Sequence, residues 1–241
     1  MAIGGFQPMT LLDYPGKLAC TVFFSGCQFR CPWCHNWSLV EGRAPEIMAA
    51  EELAEFLKKR QGLLEGVCFT GGEPLLAREL ESLMGLAHRL GFLVKLDTNG
   101  FLTDRLQDLV KRGLVDYVAM DIKNAPERYA ETVGVKRLDL AGVDASIQFL
   151  LSRPVAYEFR TTVIDPLHDE ASIRRMGAWI AGADRLYLQA FEPSELVPDR
   201  SLKTPTPAAM QRYQRILSDQ VKEVKIRGLL INGKASNTEG N

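Results

Sequence analysis

Ser25-Gly-Cys-Gln-Phe-Arg-Cys-Pro-Trp-Cys-His35 is the stretch on which the reading of this chain turns. Its cysteines, Cys27, Cys31 and Cys34, form a C-x₃-C-x₂-C triad just after an apolar, strand-like run, Ala19–Ser25 (ACTVFFS). Three thiolates on one short loop suit three corners of a cubane iron–sulfur cluster, which ordinarily takes four cysteines. The missing fourth ligand leaves one iron open to another molecule, as a catalytic zinc site keeps one position free. Other chemistries compete for the same residues. Cys31-Pro-Trp-Cys34 is also a C-x-x-C dithiol motif and, with His35, spells the C-x-x-C-H of haem attachment. The dithiol leaves Cys27 without a role. Haem attachment needs export, and Met1–Thr10 has neither a basic n-region nor an apolar h-region. Zinc usually wants four ligands, and no second C-x-x-C or H-x₃₋₅-H is present. The open cluster is the reading carried forward, with zinc and a dithiol as alternatives. Cys20 and Cys68 lie inside apolar runs and read as buried structural thiols.

Working outward, the 241 residues suit one large α/β domain or two small ones, and 46% apolar content is enough for a core. Twenty-nine basic residues against thirty acidic ones leave a net charge of −1, which gives no electrostatic case for nucleic acid or membrane binding. No apolar stretch approaches the length of a bilayer span. Five cysteines without a signal peptide imply a reducing, cytoplasmic setting, in which cysteine clusters bind metal or do chemistry.

Runs rich in β-branched and aromatic residues alternate with amphipathic segments. Strands are expected at Ala19–Ser25, Gly66–Thr70, Phe92–Asp97, Val115–Asp121, Val155–Ile164 and Arg185–Ala190. Helices are expected near Ala49–Arg60, Arg78–Leu90, Thr103–Arg112, Ala141–Leu151, Asp169–Ala181 and Pro207–Asp219. Thr103 and Asp169 are placed as N-caps, and Gly91, Gly113 and Gly182 sit where helices should stop. Six β–α units in a row imply a parallel sheet with right-handed crossovers, doubly wound or curled into a partial barrel. Residues 1–18 are expected as an N-terminal extension, 19–227 as the (β/α)₆ domain and 228–241 as a polar, flexible tail. The long irregular segment 26–48 carries the cysteines, and long loops in compact domains are usually functional. Lys222–Arg227 is a candidate short extra strand.

In parallel α/β folds chemistry collects at the C-terminal ends of strands. The first strand runs into the cysteine loop, and the second into Gly71-Gly72-Glu73-Pro74. The glycines permit close backbone approach, and Glu73 suits an ammonium group. An ordinary glycine turn with a solvated glutamate explains them equally well. The third strand ends in Asp97-Thr-Asn99-Gly100 and the fourth in Asp121-Ile-Lys123. Asp97 and Asp121 suit vicinal hydroxyls; Asn99-Gly100 by itself reads as a turn, and Lys123 as a solvated charge or a ligand contact. Arg160, within an apolar strand, points into a polar lumen or pairs with Glu158, the lumen being preferred. Phe191 is equally readable as core or as a stacking surface. An iron–sulfur carrier or zinc module explains the cysteines but not these polar strand ends.

Taken together, the triad and Gly71-Gly72-Glu73-Pro74 resemble the radical S-adenosylmethionine (SAM) enzymes. With Asp97-Thr-Asn-Gly100 and Asp121-Ile-Lys123 the chain is similar to activating enzymes of glycyl-radical enzymes. Thr10-Leu-Leu-Asp-Tyr-Pro-Gly16 resembles the branch that activates anaerobic ribonucleoside-triphosphate reductase. The resemblance runs from about Asp13 to Arg227. It implies a partial (β/α)₆ TIM-like barrel and a [4Fe–4S] cluster on Cys27, Cys31 and Cys34, with SAM on the open iron. Trp33 would lie near the adenine and Gly71, Gly72 and Glu73 near the methionine ammonium. Asp97, Asn99, Asp121, Lys123 and Arg160 would complete the SAM pocket. It further implies a glycyl-radical enzyme as protein substrate and a flavodoxin or ferredoxin as electron donor. A compact enzyme acting on a small molecule, of the 7-carboxy-7-deazaguanine synthase kind, and an activase of a pyruvate formate-lyase-like enzyme are the alternatives. Some relatives have histidine where this chain has Phe191, so that contact is not carried over. No further cysteine cluster lies between Cys34 and Gly71, which implies a single cluster.

Overall fold

The computed structural model describes residues 2–228 together with the backbone of 230–231 and 234–235. The elements run β1 (Ile3–Thr10), β2 (Ala19–Phe24), α1 (Trp37–Val40), α2 (Ala50–Arg60), β3 (Gly66–Gly71), α3 (Leu80–Arg89), β4 (Leu93–Thr98) and α4 (Thr103–Lys111). There follow β5 (Tyr117–Asp121), α5 (Pro126–Thr132), α6 (Ala141–Leu151), β6 (Ala156–Val163), α7 (Glu170–Trp179), β7 (Arg185–Ala190), α8 (Pro207–Ser218) and β8 (Glu223–Arg227). Strands β1 to β8 form one sheet in sequence order. β1 pairs antiparallel with β2, whereas β2–β3, β3–β4, β6–β7 and β7–β8 pair parallel. The fold is α/β, of the partial (β/α)₆ barrel type that the β–α rhythm and the resemblance implied. A further pair of two-residue strands, β9 (Leu230–Ile231) and β10 (Lys234–Ala235), lies within the expected tail. The rest of that tail after Gly228 is outside the described residues.

The chain divides into two compact units, 1–29 with 36–119 and 141–156, and 30–35 with 120–140 and 157–241. In the first, Val22, Phe24, Val67, Phe69, Val94 and Leu96 are fully buried on the strands, beneath Leu53 and Leu57 of α2 and Met84 of α3. In the second, Phe159, Val163, Leu186 and Leu188 are buried with Ile173 and Met176 of α7 and Met210 and Leu217 of α8. Burial of each large apolar side chain contributes about 1.5–3 kcal/mol. The strand period of two then leaves the alternate residues of β6, Glu158, Arg160 and Thr162, on the opposite face.

Several expectations are adjusted. Ile3–Thr10, inside the expected extension, is itself a strand at the edge of the sheet, where Pro8 lacks an N–H to donate. Gly4 belongs there because a Cβ would stand 2.4 Å from Ser25 Oγ. Thr103 is the first helical residue of α4 and not its N-cap; Leu102 holds that place without a side-chain bond. Asp169 does cap α7, accepting from Ser172 N–H at 2.7 Å. Gly91, Gly113 and Gly182 follow their helices at positive φ of 87°, 68° and 85°. The tight left-handed turn after each helix accounts for the glycine.

Candidate active site

The sequence-derived candidates fall into two constellations, each built within one unit. In the first unit, β3 delivers Gly71, Gly72 and Glu73, and β4 delivers Lys95, Asp97, Thr98 and Asn99. The two glycines are explained by backbone packing. A Cβ on Gly71, whose φ is 129°, would lie 2.3 Å from Phe24 N, and one on Gly72 would lie 2.2 Å from Gly26 O. Gly72 N–H donates to Phe24 O at 2.9 Å and Glu73 N–H to Gly26 O at 2.8 Å. The end of β3 is thereby stitched to the root of the cysteine loop.

Glu73 is fully buried, and its carboxylate accepts three hydrogen bonds from the protein itself. Leu75 N–H donates to Oε1 at 3.1 Å, Thr98 Oγ1–H to Oε1 at 2.8 Å and Asn99 N–H to Oε2 at 2.8 Å. The sequence reading aimed this side chain at a ligand ammonium; the structure shows it tying the ends of β3 and β4 together. Asp97 forms an ion pair with Lys95, a residue the sequence reading did not single out. The Lys95 side chain is 1% exposed, and its ammonium also approaches Cys68 Sγ at 3.7 Å. A lone lysine in the run Phe92–Asp97 gave no signal beyond interrupting apolarity. Asn99 forms the expected turn, with its Oδ1 accepting from Phe101 N–H at 3.1 Å.

In the second unit Asp121, at the end of β5, accepts from Arg160 Nε at 2.9 Å and from Lys123 Nζ at 2.8 Å. Arg160 therefore pairs with Asp121, while Glu158 lies 3.6 Å from the Arg227 guanidinium. Burial is the largest influence on Asp121 and favours its neutral form. The charges of Arg160 and then Lys123 outweigh it, holding the carboxyl down at about 2. Burial likewise opposes the charge on Lys123, but Asp121 and the sulfur of Cys31 keep its ammonium above the ordinary lysine range. That ammonium lies 4.9 Å from the centre of the Trp33 ring, an attractive placement for a cation.

Trp33 is itself fixed, with Nε1–H donating to Thr132 O at 3.1 Å. Arg30 N–H donates to Val133 O at 2.9 Å, and a Cβ on Gly134 would stand 2.2 Å from Arg30 O. The turn after α5 thus packs directly on the Arg30–His35 segment. Phe191 is 1% exposed and core-like, yet its ring also meets that of His35 at 5.6 Å. His168, also unanticipated, accepts from Ile164 N–H at Nδ1, 3.2 Å away, so Nε2 carries the proton and donates to Lys123 O at 3.0 Å. Burial pulls its pKa down to about 4, and the imidazole is neutral.

The donor set fits an iron–sulfur cluster. None of the three triad cysteines is in a disulfide; Cys31 is buried and Cys27 and Cys34 are partly exposed. Among the described residues no three His, Cys, Asp or Glu side chains gather as around a single metal ion. A cubane takes one thiolate at each iron and does not require that convergence. Cys20 and Cys68 are fully buried, as expected of structural thiols. Burial pushes the Cys20 thiol up to about 12.

Residues 21–170 match the Radical SAM superfamily, and the chain belongs to it; its cofactors are a [4Fe–4S] cluster and SAM. Within that superfamily the chain is 33% identical to the pyruvate formate-lyase-activating enzyme of Clostridium pasteurianum over 90% of its own length and 87% of that enzyme's. It is 29% identical to a Methanocaldococcus jannaschii protein provisionally named a glycyl-radical enzyme activating enzyme, over 96% of this chain and 97% of the other. Among solved structures, a radical SAM methyltransferase from Sphaerobacter thermophilus superposes with a TM-score of 0.67 at 17% identity, over 94% of this chain and 71% of that one. That last likeness concerns the fold alone. No helix among the described residues is long and apolar enough to cross a membrane.

Proposed function

We propose that this chain installs a glycyl radical in a partner protein, and that the partner is an anaerobic ribonucleoside-triphosphate reductase. The observation that carries the activase reading is similarity to the clostridial activating enzyme along nine-tenths of the chain, with the cysteine triad inside the region 21–170 that matches the superfamily. Bound together, the cluster and SAM supply a one-electron cleavage of the sulfur–C5′ bond, whose carbon radical removes hydrogen from a glycine Cα of the partner. The residues of this chain position that event. Cys27, Cys31 and Cys34 hold three irons. Lys123 and Arg160, balanced by Asp121, offer positive charge where an anionic group of SAM would sit. Asp97 offers a carboxylate to the ribose hydroxyls, and Trp33 offers an apolar edge to the adenine. A flavodoxin or ferredoxin is the proposed source of the electron.

The choice of partner rests on Thr10–Gly16. In the structure Tyr14 of that segment is 5% exposed, packs 6.0 Å from the ring of Tyr117 and borders Gly66. Asp13 accepts from Thr21 Oγ1–H at 2.6 Å. These contacts make the segment part of the scaffold, so it supports the partner only through resemblance. The clostridial relative favours a second reading, activation of a pyruvate formate-lyase-like enzyme. The test is to mix reduced protein, SAM and each candidate enzyme without oxygen and record electron paramagnetic resonance spectra. A glycyl doublet on the reductase, lost when its glycine is mutated, supports the first reading. A doublet on the lyase alone moves the assignment to the second. Turnover of a purine-like small molecule with no protein radical overturns both.

A further inference from the structure

The Asn99 side chain makes a set of bonds within the protein. Asn99 is 5% exposed. Its Oδ1 accepts from Phe101 N–H at 3.1 Å and from Gln28 Nε2–H at 2.9 Å. A backbone N–H can only donate, so the oxygen of the amide must face Phe101, and the orientation of the side chain follows without ambiguity. The other end, Nδ2, then points its hydrogen at Cys27 Sγ, 3.8 Å away. Phe29 N–H donates to the same sulfur at 3.4 Å.

Asn99 is also held in place with unusual thoroughness for a turn residue. Glu73 Oε2 accepts its backbone N–H at 2.8 Å, and Thr98 Oγ1 accepts Gly100 N–H at 3.1 Å. Ser146 Oγ–H donates to Gly100 O at 2.7 Å. The buried carboxylate of Glu73 is therefore one support of a chain that ends at a cysteine sulfur. We propose that Asn99 is a positioning residue for the iron–sulfur cluster, donating a hydrogen bond to the sulfur of Cys27 and raising the cluster's reduction potential, with Glu73 holding it there. The physical reason is charge. Reduction adds an electron to the cluster, so a donor at a ligating sulfur stabilises the reduced state more than the oxidised one. This role rests on Cys27 being a cluster ligand.

Asn99→Asp is the sharp variant, because Oδ1 still accepts from Phe101 and Gln28 while the N–H toward sulfur is gone. It also adds a negative charge, so Asn99→Ala is measured beside it. Cys20→Ala, which removes a fully buried thiol on β2, is the control. Each protein is reconstituted anaerobically, assayed for iron and sulfide, and titrated potentiometrically without SAM. The expected result is a midpoint potential more negative than wild type for both Asn99 variants at unchanged cluster content, with Cys20→Ala at the wild-type value. A shift in Asn99→Asp alone overturns the hydrogen-bond account in favour of simple charge. Unshifted potentials in both variants overturn it outright. If Cys27→Ala binds a full cluster, the ligand assignment fails instead, and that outcome is read from iron content before any potential is measured.

Discussion

The two constellations use similar residues in opposite ways. In the first unit Lys95, Thr98, Asn99 and Glu73 are at most 5% exposed, with the Lys95 ammonium paired to Asp97 and the Glu73 carboxylate accepting from Thr98 Oγ1–H and two backbone N–H groups. In the second, one carboxylate, Asp121, faces two cations, and the side chains of Asp121, Lys123 and Arg160 keep 29%, 12% and 16% exposure. The dry set is occupied by hydrogen bonds among its own members, which fixes geometry. The wetter set carries surplus positive charge that a ligand can still reach. Both also brace the cysteine loop in the same manner, Gly72 against Gly26 and Gly134 against Arg30, each where a Cβ would be 2.2 Å from a carbonyl oxygen. The contrast is between a set closed off from water and a set that keeps partial exposure and a net positive charge.

The largest effect should come from the thiols themselves. Alanine at Cys27, Cys31 or Cys34 is expected to abolish SAM cleavage, and wild type should hold about four irons and four sulfides per chain after anaerobic reconstitution. Cys20→Ala should keep a cluster and most of the cleavage activity, since its buried thiol stays protonated at neutral pH. Stoichiometric zinc with no iron in anaerobically purified wild-type protein would contradict the assignment of both sets.

Asparagine at the two aspartates tests the contrast directly. Asp97→Asn leaves the Lys95 ammonium buried without its carboxylate, and breaking a buried pair from one side costs about 3–5 kcal/mol of folding stability. Asp121→Asn removes the carboxylate from two cations that water already reaches, so a smaller loss of about 1–3 kcal/mol is expected. The Asp121 contribution also depends on pH. The Asp121 carboxyl, held at about 2 against roughly 3.9 unfolded, stabilises the fold fully above the unfolded value, and the contribution is lost as pH falls through about 2. The stability gap between wild type and Asp121→Asn should therefore narrow as pH falls from about 4 toward 2, flattening the acid limb of the variant. Equal denaturant midpoints for the two variants would erase the distinction between dry and wet sets.

How much of this could be read in advance depends on the kind of signal. The β–α rhythm was legible because strands such as Arg185–Ala190 and helices such as Ala141–Leu151 bury one face, and burial imposes a period. β1 was not, because Gly4-Gly5 and Pro8 read as loop, and only the approach to Ser25 and its edge position explain them. The cysteine triad announced itself by spacing, and Asp121 and Lys123 by their place at a strand end. Lys95 and His168 were invisible because their meaning lies in partners distant in sequence, Cys68 for one and the Lys123 carbonyl for the other. Glu73 shows a subtler limit. Its place at the end of β3 was legible, but the bonds its carboxylate accepts from Thr98 and Asn99 at the end of the next strand were not, because they join residues distant in sequence.

The smallest predicted effect lies in His168, and it acts on the wetter set alone. The imidazole is neutral in the folded protein, with a pKa lowered by burial to about 4, against about 6.5 when unfolded. Between those values the unfolded chain takes up a proton that the folded protein does not, so stability falls as the solution is acidified through this window. Below about 4 both states are protonated and the dependence ends. At pH 5.5 the loss amounts to about 1 kcal/mol by linkage. His168→Gln should lower stability at pH 8, because one amide cannot reproduce both ring-nitrogen bonds, yet it should flatten the slope between pH 6.5 and 4. Denaturant midpoints of wild type and variant across that range would decide it. Since His168 holds the carbonyl of Lys123, hydrogen-exchange protection, corrected for the slower intrinsic exchange at low pH, should fall on acidification first around 121–124 and not around 97–101. Simultaneous loss of protection in both segments would mean that the two constellations open as one, and the contrast between them would be one of charge only.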